Sequence, residues 1–190
     1  MLTEKIVYII PGFRHTPDTK AYKEIAKMLK KEGYRPILIS IPWKNTTISE
    51  NTKYFLKRYK QIKTRRKYIL GFSFGAMIAF LASTKVSASG LILCSLSPYF
   101  QEDLSKTSNS VRYQDFQKLH FATLAKKIKA KKVSMLYGTK EEKSLKKRVT
   151  AGFRQISSPE KYLIPIRATA HDIGDPRYLH TIHKLAKEMN

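Results

Sequence analysis

Short apolar runs alternate with longer amphipathic stretches along this chain, and that alternation limits the fold more than any other feature. Lys5-Ile-Val-Tyr-Ile-Ile10 is a nearly continuous β-branched run that stops at Pro11-Gly12. Pro36–Ile41, Lys67–Leu70, Leu91–Cys94, Val133–Tyr137 and Tyr162–Ile166 repeat the pattern. Runs of this kind suit parallel strands covered on both faces. Between them the period changes to that of a helix. Tyr22, Ile25, Ala26, Met28 and Leu29 share one face of a segment over about 19–32, which Gly33 stops. Helices are expected likewise over about 47–64, 74–85, 141–153 and 175–188. The alternation predicts an α/β fold, a three-layer sandwich with a mostly parallel sheet of about six strands and right-handed crossovers. One break interrupts it. Residues 96–131 are longer than a simple crossover and read as a short cap-like insertion, a loop to about 110 and then a helix over 111–130. The 190 residues otherwise form a single domain, 1–190.

Composition excludes several classes. A single cysteine, Cys94, leaves no intramolecular disulfide framework and no Cys-rich zinc module. No apolar run approaches the ~18 residues of a membrane span. Met1-Leu-Thr-Glu-Lys5 followed by Ile6–Ile10 is too short and too acidic for a secretory leader, so a cytoplasmic location is expected. The charge is unusual: 37 Lys and Arg stand against 14 Asp and Glu, a net +23. It falls on several predicted helices. The densest stretch, Lys53–Lys67, interleaves its cations with Phe55, Leu56, Tyr59 and Ile62, as on an amphipathic helix with a solvated basic face. Such a surface is either simply solvated or a patch that attracts nucleic acid or an anionic membrane.

After the third run the chain reads Gly71-Phe-Ser73-Phe-Gly75. A G-x-S-x-G placed between strand and helix holds a serine on a strained turn, with its hydroxyl above the sheet edge. The glycines let neighbouring backbone approach, and the helix N-terminus offers N–H groups to a developing oxyanion. A serine nucleophile needs a base, and the base needs an acid. His171 lies in a loop past the sixth run, where a base can reach Ser73. His180 and His183 sit within the last helix, His120 in the insertion, and His15 after the first run. The acid is expected past the fifth run, in Gly138-Thr-Lys-Glu141-Glu142, with Glu141 preferred over Glu142. Asp172, next to His171 in sequence, diverges from it. Cys94 falls in a strand and reads as a buried small side chain.

The order Ser73, Glu141, His171, with the elbow and the alternating strands, resembles the α/β-hydrolase superfamily over nearly the whole chain. The resemblance implies a sheet with the second strand beside the first and the third to sixth following, and a ligand crevice at the switch point between strands one and three. It also implies an oxyanion hole made by the backbone N–H of Phe74 and of Phe13. The chain departs from the superfamily in having Pro11-Gly12 where many relatives have His-Gly, in its minimal length and in using Glu as the acid. Arg14, Trp43 and Tyr99 are candidate substrate contacts. The expectation is a serine esterase or thioesterase acting on a small acyl substrate with no metal and no organic cofactor. The competing expectation is an idle hydrolase scaffold that binds nucleic acid or anionic membrane.

Overall fold

The structure is a computed structural model that describes residues 4–104 and 109–189. Six strands, β1 (Lys5–Ile10), β2 (Tyr34–Leu38), β3 (Arg66–Phe72), β4 (Ala88–Cys94), β5 (Ala130–Gly138) and β6 (Glu160–Ile166), make one sheet of order β2-β1-β3-β4-β5-β6. All neighbours are parallel. Residues Ile6 to Ile10 are fully buried, as a central strand with both faces covered demands. β2 is the edge strand, and it begins and ends earlier than the sequence predicts. It carries Pro36, which an edge strand tolerates because one side of its backbone makes no ladder.

Helices α1 (Lys20–Lys31) and α7 (Pro176–Glu188) cover one face of the sheet. α2 (Ile48–Gln61), α3 (Phe74–Ser83), α4 (Val111–Gln117), α5 (Phe121–Ala125) and α6 (Lys143–Gln155) lie on the other. α2 starts at a capping box, in which Thr47 accepts from the Glu50 N–H and the Glu50 carboxylate accepts from the Thr47 N–H. α3 is apolar all round and is buried between sheet and α2, as such a helix must be. The expected single helix over 111–130 is two short helices, and β5 takes up the residues from Ala130. Glu102 causes the break by accepting the N–H groups of Phe121 and Ala122, which gives α5 its own N-terminus. Part of the cap-like insertion, residues 105–108, lies outside the described residues. Among the described residues no helix is long and apolar enough to cross a membrane.

A parallel sheet places all strand C-terminal ends on one side of the molecule. Five non-glycine residues have left-handed backbone, Arg14, Asn45, Ser73, Ser95 and Ala168. Each lies within seven residues after the end of a different strand. The strained backbone therefore gathers at the edge where open α/β sheets hold their ligands.

Candidate active site

Ser73 is the N-cap of α3, with φ 56° and ψ −119°. Its N–H donates to the carbonyl of Cys94 at 2.9 Å, which ties the turn to β4. Both flanking glycines are required by packing. A Cβ on Gly71 would collide with the backbone of Gly75, and one on Gly75 with the carbonyls of Ile10 and Pro11. The turn thus brings α3 against the end of β1. At the first turn of α3 the Ala76 and Met77 N–H groups donate to the Ser73 carbonyl, whereas those of Phe74 and Gly75 have no backbone acceptor among the described residues.

His171 lies in the loop between β6 and α7 and shares a cavity with Ser73. Its Nδ1 is 3.0 Å from Oε2 of Glu141. The Glu141 side chain is wholly buried, whereas His171 is partly open. Oε1 of Glu141 accepts from the Gly138 N–H at 2.6 Å and from the Ser95 hydroxyl at 2.7 Å. The Ser95 proton goes to the carboxylate, so the Tyr178 hydroxyl, 2.7 Å away, donates to Ser95 Oγ. Burial holds the Tyr178 phenol well above its ordinary pKa, and it remains neutral. Three partners on the buried carboxylate fix its orientation toward the imidazole. With Nδ1 engaged, Nε2 is the nitrogen available to a serine proton.

The neighbouring candidates are placed otherwise. Glu142 is exposed at the N-cap of α6, and α6 begins two residues later than predicted because Glu141 turns inward. The Asp172 carboxylate accepts from the Gly174 N–H. His183 pairs with Glu32 at 2.7 Å, and His120 is the exposed N-cap of α5. Cys94 is buried, and that burial pushes its thiol pKa up, away from a nucleophilic thiolate. Among the described residues no group of three or more His, Cys, Asp or Glu could hold a metal ion.

The loop after β1 is pinned from below. The Gly12 N–H donates to Oη of Tyr22 at 2.9 Å, so it is not available to a ligand. Tyr22 is buried and its pKa is raised by that burial, so the hydroxyl keeps its proton and donates it to Nδ1 of His15 at 3.0 Å. His15 stacks on Phe72, and the same Phe72 ring packs against His171. The His15 N–H closes a turn on the Gly12 carbonyl around Phe13 and Arg14, which has φ 61°. The Phe13 N–H has no hydrogen-bond acceptor among the described residues.

The cavity holding Ser73 and His171 measures about 860 Å³. Phe74, Tyr99, Leu104 and Leu145 give it apolar walls, and the Phe74 and Tyr99 rings stack at 5.3 Å. Arg148 supports the opposite wall. It makes two bonds of 2.6 Å to the carboxylate of Asp103 and lies over the Phe121 ring. Of the three expected substrate contacts, only Tyr99 lines this cavity. Trp43 packs behind it, edge-on to Phe13 and Phe74. Arg14 is exposed and its guanidinium sits over Phe13. Trp43 thus packs on a ring that lines the cavity, and Arg14 on Phe13, which does not line it. Sequence reasoning missed Ser95 and Tyr178, which hold the acid. Ser95 was open to recognition as the residue just past a strand end. Tyr178 carries no such signal, since it meets Ser95 only through the fold.

No known family profile matches the chain, and no curated protein matches it in sequence. Solved structures do match. Est1E from Butyrivibrio proteoclasticus superposes with a TM-score of 0.82 at 16% identity, over 98% of this chain and 86% of that one. This chain has the α/β-hydrolase fold. A putative hydrolase from Agrobacterium vitis S4 gives 0.85 at 15% identity, over 98% and 88%. Alpha/beta hydrolase domain-containing protein 10 from mouse gives 0.80 at 14%, over 96% and 88%. A second Est1E structure, with ferulic acid bound, gives 0.79 at 15%, over 98% and 88%.

Proposed function

We propose that this protein is a serine hydrolase that cleaves a carboxylic ester or thioester. The observation that carries the reading is the His171–Glu141 pair, built on a fully buried, three-donor carboxylate and opening into the cavity of Ser73. His171 Nε2 takes the Ser73 proton as Oγ attacks the acyl carbonyl. Glu141 holds the imidazole tautomer and stabilises the imidazolium. The oxyanion accepts hydrogen bonds from the N–H groups of Phe74 and Phe13. The tetrahedral intermediate collapses, and Nε2 returns the proton to the departing alkoxide or thiolate. Water, deprotonated by His171, then attacks the acyl-Ser73 ester and releases the acid. The reaction needs no metal and no organic cofactor.

The stacked Phe74 and Tyr99 rings on the cavity wall, backed by Phe116, suit a planar or extended apolar acyl group. The ferulic acid of the Est1E complex is of that kind. Residues 96–131 serve as a short cap on a single domain, 1–190, since Ser97, Tyr99 and Leu104 form one side of the cavity. The test is the intact mass after treatment with a fluorophosphonate probe. A single adduct is expected, lost in Ser73→Ala and in His171→Ala. A folded wild-type protein that takes no label refutes the reading.

A further inference from the structure

The cations that look scattered in the sequence gather at one end of the fold. In a parallel sheet every helix-to-strand connection reaches the strand N-terminal edge, opposite the Ser73 cavity. Five stretches lie there, 30–35, 60–67, 85–87, 126–132 and 154–161. Together they hold sixteen Lys and Arg and only two acids, Glu32 and Glu160. The connections that follow the strands are the reverse. Their described residues hold four Lys and Arg, Arg14, Lys44, Lys140 and Arg167, and seven acids. Both acids in these stretches are already partnered, Glu32 by His183 and Glu160 by Lys132, and Glu4 at the start of β1 is partnered by Arg35.

Helix dipoles alone do not produce this segregation. A helix C-terminus favours one or two cations, which accounts for Lys30, Lys31 and Arg154. It does not account for Arg66, Lys67, Lys131 and Lys132, which lie inside strands. Some of these cations have structural duties. Lys67 bonds the Tyr59 carbonyl, and Lys161 bonds carbonyls at the end of α6. Lys63, Arg65, Lys127, Lys129 and Lys131 do not. They are exposed and pair with no carboxylate among the described residues. Like charges so close repel, and no carboxylate pairs with these five to offset them.

We infer that this edge is a binding surface for the phosphate backbone of nucleic acid, independent of base sequence and of the hydrolase reading. Six strands about 4.8 Å apart give an edge about 24 Å wide. A duplex carries one phosphate charge per about 1.7 Å of axis, so that width faces about fourteen charges over both strands. The chemistry favours nucleic acid over a membrane. Peripheral membrane surfaces combine cations with apolar side chains that enter the lipid. Here Tyr162 is the one large exposed apolar residue near this edge, and Lys132 covers its ring. Tyr99 and Val111, the other two such residues described, belong to the cavity wall and to α4.

The test measures binding of a fluorescently labelled 25-base-pair DNA duplex of arbitrary sequence by anisotropy, at 50 to 200 mM NaCl. Neutralising about five phosphates gives a log–log salt slope near −4.5, a loss of roughly 500-fold across that range. The triple variant Lys63→Glu, Lys127→Glu, Lys129→Glu should weaken binding at least tenfold at 100 mM and flatten the slope by about 2.7. A second triple variant, Lys20→Glu, Lys44→Glu, Lys53→Glu, changes the net charge equally at the other end of the sheet and should bind within threefold of wild type. Circular dichroism checks that both fold. Equal losses in the two variants overturn the inference, because binding would then follow net charge alone. Absence of duplex binding at 50 mM NaCl also overturns it, as does capture only by phosphatidylserine vesicles, which would make the partner a membrane.

Discussion

Replacing Glu141 with glutamine changes one oxygen into an amide nitrogen and almost nothing in volume. Its consequence is set by the three donors around the carboxylate. Gly138 N–H points at Oε1 from 2.6 Å, and an NH₂ group in that place would set donor against donor, so the amide oxygen stays there and keeps the Ser95 O–H as well. The new NH₂ must then face His171 Nδ1, which in wild type lies 3.0 Å from Oε2. Two donors cannot share that contact, so Nδ1 becomes the acceptor and the ring proton moves to Nε2. An imidazole with its proton on Nε2 cannot take another from Ser73. The same tautomer error in a serine protease triad lowers turnover by about 10⁴. A fall of roughly 10³–10⁴ in kcat is therefore expected here, or about 4–5.5 kcal/mol at 1.36 kcal/mol per tenfold. KM should change little, because Glu141 does not line the cavity. Hydrolysis of p-nitrophenyl acetate and of an aryl thioester, each followed by absorbance, measures both constants. A loss of less than tenfold, or an equal loss in Glu142→Gln, would refute the tautomer argument and the choice of acid.

Other consequences follow from packing and charge. Gly75→Ala drives a Cβ into the carbonyls of Ile10 and Pro11, so it should destabilise by more than about 3 kcal/mol or prevent folding, as read by urea denaturation. Arg148→Met leaves Asp103 largely buried without its cation and should cost about 3 kcal/mol in the same assay, while the double variant with Asp103→Leu recovers part of it. Burial, then the nearby His171, hold the His15 imidazole below its ordinary value of 6.5, and Asp172 only partly opposes them. The unfolded chain then binds more protons than the native one between the lowered value and 6.5. Stability should rise with pH across that window and level off above it. His15→Gln should flatten the rise, and melting temperatures measured from pH 5 to 8 decide.

The sheet was legible because buried parallel strands leave continuous apolar runs such as Ile6–Ile10 and Leu91–Cys94. The elbow was legible because its glycines answer to local backbone contacts. What escaped depends on distant parts of the chain. Phe116, Leu119, Phe121, Leu124 and Ile128 keep an apolar rhythm across the break between α4 and α5, and only Glu102 shows where the helix stops. Trp43 and Arg14 follow strand ends, as pocket residues do, yet they pack on the Phe13 and Phe74 rings and do not line the cavity. The charge looked dispersed because five connections far apart in sequence meet only when the sheet forms. Tyr178 reaches Ser95 across 83 positions, and no spacing rule connects them.

The left-handed backbone at Arg14, Asn45, Ser73, Ser95 and Ala168 sets a limit on thermal endurance. Each such residue costs about 1–3 kcal/mol that glycine would not incur. Two of the five, Ser73 and Ser95, cannot be relieved without losing a hydroxyl, the one proposed as nucleophile and the one that bonds Glu141. The other three carry no such constraint in their side chains. A lineage under pressure for heat resistance could relax Asn45 and Ala168 freely. It could relax Ser73 only by giving up the hydroxyl proposed as nucleophile, and Ser73→Gly should therefore melt later than wild type.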